Sequence, residues 1–156
     1  MAGVIIAVVM MMAMALGVRL IPMVRTLDAL SLASGPATNE IIYHAVHGRW
    51  PPPGDSTIIA GNKKSSFVKS LALGRDGVIT AQVALGPVPA FGAARTATGP
   101  EAIHGVLSFR PQLLGSRDAP TITFLCGYAQ SVDDPVATSV ANTTTLDKHI
   151  LPPFCR

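Results

Sequence analysis

The sequence predicts an α+β protein. A long amino-terminal helix, apolar in its first half and kinked at Pro22, packs its second half on an antiparallel sheet of about four strands, and a carboxyl-terminal loop is closed by Cys126 and Cys155. Three observations predict this. Met1 to Val18 contains no charged residue, apolar residues then recur at helical spacing as far as Trp50, and from Val78 onward the period changes to two in three separate segments.

The first segment fixes the organisation of the rest. At about 1.5 Å rise per residue its helix covers roughly 27 Å, close to the ~30 Å hydrocarbon thickness of a bilayer. A helix that is apolar on every side must be surrounded by lipid or by other apolar helices. Nothing later in the chain is long and apolar enough to surround it, so the expected partner is a membrane or further copies of the chain. Ala2, Gly3, Ala7, Ala13 and Gly17 permit close approach of such helices, and with Ile6, Met10 and Met14 they form the expected packing surface.

A signal peptide fits this segment poorly, because no basic residue precedes the run and the run exceeds a signal core in length. Arg19 and Arg25 lie on its carboxyl side and would orient the remainder toward the cytoplasm. That conflicts with a disulfide, and the conflict disappears if Met1 is the first residue of a processed chain whose lost leader carried the orienting charges.

From Leu20 to Trp50 the helix is one-sided. Leu27 pairs with Leu30, Ile41 with Ala45 and Ile42 with Val46, with Asp28, Ser31, Asn39, Glu40 and His44 between them. Gly17 and Pro22 predict a kink or a melted turn, since proline lacks an N–H and crowds the carbonyl four residues earlier. Gly35-Pro36 predicts a helix restart capped by Ser34 or Gly35. Gly48 and Trp50-Pro51-Pro52-Pro53 end the helix. The segments expected are therefore an apolar helix over 1–24, an amphipathic helix half over 25–53 and a globular head over 54–156.

Gly54 to Arg75 reads as a loop, with a short helical turn through Val68 and Leu71. Three strands follow. Ile79, Ala81, Val83 and Leu85 share one face of Val78 to Leu85; Ile103, Leu107 and Phe109 share one face of Ile103 to Arg110; Ile122, Phe124 and Cys126 share one face of Thr121 to Cys126. Such alternation predicts a sheet covered on one side only, and the cover available is the helix carrying Ile41 and Ala45. A further short edge strand is expected near Asn142 to Thr145.

The chain has 156 residues and a net charge of +3, enough for one compact domain beyond the first segment. Its cations are scattered, and the only cluster, Lys63, Lys64 and Lys69, reads as a solvated loop rather than a nucleic-acid footprint. Cys126 and Cys155 are either bridged or two buried thiols. An apolar anchor with a polar, loop-rich body favours an oxidising compartment and hence the bridge.

Several features together resemble the type IV pilins: an apolar helix with Ile21-Pro22, an amphipathic half ending in Gly48-Arg49-Trp50-Pro51, antiparallel strands, and a terminal loop closed by two cysteines. Gly77-Val78-Ile79-Thr80 resembles the family's first strand, Leu107-Ser108-Phe109-Arg110-Pro111 its second, and Leu151-Pro152-Pro153-Phe154-Cys155-Arg156 its ending. The resemblance implies a helical homopolymer held first in the inner membrane and then exposed on the cell surface as a pilus. It also implies processing and methylation at Met1, and an assembly ATPase and platform protein as partners. Adhesion, motility or DNA uptake would be the service. The sequence departs from the family at Ile5, where most pilins carry a glutamate; no acid precedes Asp28. The alternatives are a type II secretion pseudopilin and a monomeric, membrane-tethered binding module.

Catalysis and cofactors find little support, because no nucleophile, base and orienter stand at telling spacing and no phosphate loop is present. His44 and His47 with Glu40 form only a weak metal pattern, and histidines near a helix carboxyl end also gain from its dipole. Met10, Met11, Met12 and Met14 read as packing groups. Asp133-Asp134 reads as an acidic turn, with a calcium loop as the pseudopilin alternative. Asn142-Thr143-Thr144 permits glycosylation.

Overall fold

In the computed structural model, which describes residues 2–59, 65–87, 102–115, 121–131 and 140–156, helix α1 runs from Ala2 to His47 as one element. It is unbroken at Gly17 and Pro22, so no turn is melted there; the side chains of Gly17 and Pro22 lie outside the described residues. Nor does the helix restart at Gly35-Pro36. Ser34 Oγ donates to the carbonyl of Ser31 at 2.7 Å and Thr38 Oγ1 to that of Ser34 at 3.0 Å, keeping hydroxyls folded back on the helix. Pro36 is buried, and its packing holds in place a turn that lacks one backbone donor. The helix ends as expected: Gly48, at φ +65°, donates to the carbonyl of His44 at 2.8 Å.

The sheet contains four strands in the order β1-β2-β3-β4, all antiparallel: β1 (Val68–Leu73), β2 (Ile79–Pro87), β3 (Ala102–Leu114) and β4 (Thr121–Cys126). Strand β1 corrects the helical turn expected through Val68 and Leu71. Val68 pairs with Val83 and Ser70 with Gln82, so a bulge absorbs Lys69. The bulge puts Val68 and Leu71 on the same buried face at a spacing of three, which in sequence imitates a helix. The supposed loop also contains a single helical turn, α2 (Ser56–Ile59), started by Asp55, whose Oδ1 accepts from the N–H of Thr57 at 2.9 Å.

Strands β1 and β2 are joined by a type I′ turn. Asp76 (φ 55°, ψ 31°) and Gly77 (φ 71°) are both left-handed, and Val78 N–H donates to Arg75 at 3.2 Å. Strand β3 outlasts its expected end at Arg110. Its last partner on β2 is the Ile79 pair with Phe109, and from Pro111 on it has a neighbour only on the β4 side, an edge position where strand proline is tolerated.

Helix α1 lies chiefly along β2 and buries Thr26, Ala29, Ala33, Pro36 and Glu40. This stripe replaces the expected one: Ala45 is exposed, Ile41 is only half-buried, and Ile42 and Val46 stand 57% and 72% exposed. Small side chains let the helix approach the sheet closely, so alanines make the contact and larger aliphatic groups turn outward. Beneath them lie Ile79, Ala81, Val83, Leu85, Leu107 and Phe109, the faces expected for β2 and β3, together with Leu71 and Leu73 of β1.

The second face of the sheet is not solvated along β3, which corrects the expectation of one-sided cover. Ser108, Arg110 and Gln112 are buried there beneath the carboxyl-terminal segment. No strand forms near Asn142 to Thr145, yet that stretch follows β3 through its hydroxyls. Thr145 N–H donates to Val106 O at 2.9 Å, while Thr145 Oγ1 and Thr144 Oγ1 accept from the N–H groups of Val106 and Ser108 at 2.9 and 3.1 Å. Side chains replace backbone carbonyls in the ladder, so the strand periodicity is lost while the pairing direction is kept.

Candidate functional site

The apolar end of α1 offers an unpartnered surface. Within Ile5 to Met12, the side chains of Ile5, Ile6, Val9, Met10, Met11 and Met12 are 59–69% exposed, and Ala7 is exposed beside them. At about 100° per residue these positions point to every side of the helix, so no single docking of this segment on its own head would cover them. Contiguous exposure on this scale marks an interaction surface, unlike scattered single apolar residues. The side chains of Ala2, Gly3, Ala13, Met14 and Gly17, and Met1 altogether, lie outside the described residues. Among the described residues no helix is long and apolar enough to cross a membrane, so the spanning helix expected over 1–24 gains no support here.

At its other end α1 carries a buried acid, Glu40, which the sequence pattern set only beside His44 and His47 as a weak metal pattern. Glu40 is 0% exposed, and neither carboxyl oxygen has a hydrogen-bond partner. It lies against the hairpin turn: a Cβ added at Gly77 would stand 3.0 Å from Glu40 Oε2 and 2.8 Å from the Trp50 ring. Burial pushes the Glu40 carboxyl up from 4.5 to about 8, so it is protonated at neutral pH. Its place on the stripe with Ala29, Ala33 and Pro36 was the available signal.

His44 and His47 do not converge on one ion. His44 tilts over Trp50 with ring centroids 4.4 Å apart, while His47 stacks on Tyr43 at 4.1 Å, its Nδ1 2.9 Å from the Tyr43 carbonyl. Among the described residues no three His, Cys, Asp or Glu side chains gather as a metal site.

Cys126 and Cys155 form the disulfide, with Cα atoms 4.6 Å apart. The bridge joins the end of β4 to the final turn. Beside it Gly127, at φ +58°, lies so close to the chain end that a Cβ would stand 2.5 Å from the Cys155 carbonyl oxygen. Arg110 reaches across to the carbonyls of Gly127 (3.2 Å) and Ala129 (2.6 Å), its Nε unpartnered and its pKa lowered by burial. Asn142 Oδ1 accepts from Ser108 Oγ at 2.8 Å and from Thr144 N–H at 3.0 Å, so the sequon asparagine is engaged in holding the tail. Lys69 is exposed on β1, whereas Lys63, Lys64, Asp133 and Asp134 lie outside the described residues.

Set beside protein-family models and curated proteins, the chain matches none of either.

Proposed function

We propose that the protein is a structural subunit that polymerises through the amino-terminal half of α1 into a filament of the type IV pilin kind. One observation carries this reading: six large apolar side chains stand exposed around the whole circumference of the helix between Ile5 and Met12. Only neighbouring helices or lipid can cover such a rod. Copies of the chain supply identical helices, and the head, closed by its own disulfide, would form the outer wall. In this reading a membrane holds the segment before assembly, and the assembled fibre stands at the cell surface.

The test is to shear native cells, collect any fibres and sequence their subunit, beside a strain carrying Ala7→Asp. Fibres built of this chain and absent from the variant are the expected result, because a carboxylate among packed apolar helices has no partner. Wild-type fibre yield from Ala7→Asp would overturn the reading. So would a native chain recovered only as a stable monomer in detergent, the behaviour of a tethered binding module.

A further inference from the structure

Where α1 ends, the chain and the β1–β2 hairpin border an open cleft of about 590 Å³, lined by His44, Arg49, Trp50, the prolines 51–53, Arg75 and Asp76. Its volume falls within the range of small-molecule sites. Its lining is stiff for identifiable reasons: three prolines have fixed φ, and Asp76 sits in the left-handed hairpin turn. Arg49 and Arg75, from distant parts of the chain, both line the cleft. Neither the Arg49 nor the Arg75 guanidinium makes an ion pair or a hydrogen bond among the described residues.

The charge in the cleft is unbalanced. Its lining carries two arginines and a single acid, Asp76. Glu40, the other acid nearby, is enclosed against Trp50 and Gly77 and does not neutralise them. The negative end of the helix is partly covered, since Gly48 donates to the His44 carbonyl and the His47 ring lies on that of Tyr43. The remaining surface is aromatic and prolyl, from Trp50 and Pro51 to Pro53.

We propose that this cleft binds a small ring compound of sugar size carrying one carboxylate or phosphate, with the oxyanion between Arg49 and Arg75 and the ring against Trp50 and the prolines. Arginine suits such a group because its planar fork meets two oxygens at once. The cleft is open in the unassembled chain.

Trp50 is the only tryptophan, so its fluorescence reports on the cleft directly. Full-length protein in detergent is titrated with glucuronate and with glucose 6-phosphate, which separate carboxylate from phosphate as the source of the oxyanion, and with glucose as a neutral control. A saturable change with at least one anion, weakened by added salt and missing with glucose, is expected. Arg49→Ala and Arg75→Ala should each weaken binding about tenfold, Asp76→Asn should tighten it by removing the one repelling charge, and Lys148→Ala, on the distant tail, should leave it unchanged. The proposal is overturned by an absence of saturation with both anions, by an equal response to glucose, or by arginine variants that are folded by circular dichroism and bind as the wild type does.

Discussion

Arg25, on α1, donates through Nη1 to the carbonyl of Leu85 on β2, and its guanidinium lies 5.0 Å from the centre of the Phe67 ring. One side chain thereby pins the helix to the sheet. Arg25→Ala should cost about 1–2 kcal/mol, from a charge-assisted hydrogen bond and a cation–π contact. Arg25→Lys, which keeps charge but loses the planar stacking group, should fall between the two. Urea denaturation of the three proteins checks the order.

Gly77→Ala should be the most damaging single change in the hairpin. The residue is left-handed, and the added methyl would meet the Trp50 ring at 2.8 Å and Glu40 Oε2 at 3.0 Å. Roughly 2–4 kcal/mol is expected from backbone strain and overpacking together. Thermal unfolding followed by tryptophan fluorescence measures it; an unchanged midpoint would contradict the packing of Glu40 beneath the turn.

Glu40 makes stability depend on pH in the opposite direction from a salt-bridged carboxylate. The folded chain holds its proton up to about pH 8, while the unfolded chain releases it near 4.5. Stability should therefore be greatest in acid and fall as pH rises between these values, by up to roughly 1.4 kcal/mol per unit, then level off. Glu40→Gln should flatten that slope and exceed the wild type in stability at pH 8. Denaturant midpoints measured across this window decide the matter, and parallel curves for the two proteins would refute it.

Cys155→Ser opens a bridge that spans 29 positions. The loop-entropy model gives a loss of about 3–4 kcal/mol. The hydrogen bonds from Arg110 on β3 to the Gly127 and Ala129 carbonyls, and from Ser108 N–H to Thr144 Oγ1, hold the sheet side together, so the tail should loosen before the sheet does. Hydrogen exchange at Val106 and Ser108, whose N–H groups are held by tail hydroxyls, should quicken relative to Ile79 and Ala81.

The elements whose pattern is set by simple burial were legible in the sequence. The alternation of Ile79, Ala81, Val83 and Leu85 became β2, and the Gly48 stop and the Cys126–Cys155 bridge stand as read. The misreadings have local causes. A bulge at Lys69 gave β1 a helical spacing, although Asp76-Gly77 between two apolar runs was a strong hairpin signal. The helix face was misassigned because the sequence shows large aliphatic residues, whereas close packing selects Ala29 and Ala33. The cleft residues come from segments 26 positions apart, Arg49 and Arg75, and only the folded hairpin brings them together.

The docking of α1 on β2 has a mechanical consequence. β2 is an interior strand, bonded to β1 on one side and β3 on the other, so tension applied along the spine of the molecule enters the head through its centre. The load is then shared by two ladders of hydrogen bonds and, beyond β3, by a covalent clasp. An edge strand in the same place would peel away bond by bond.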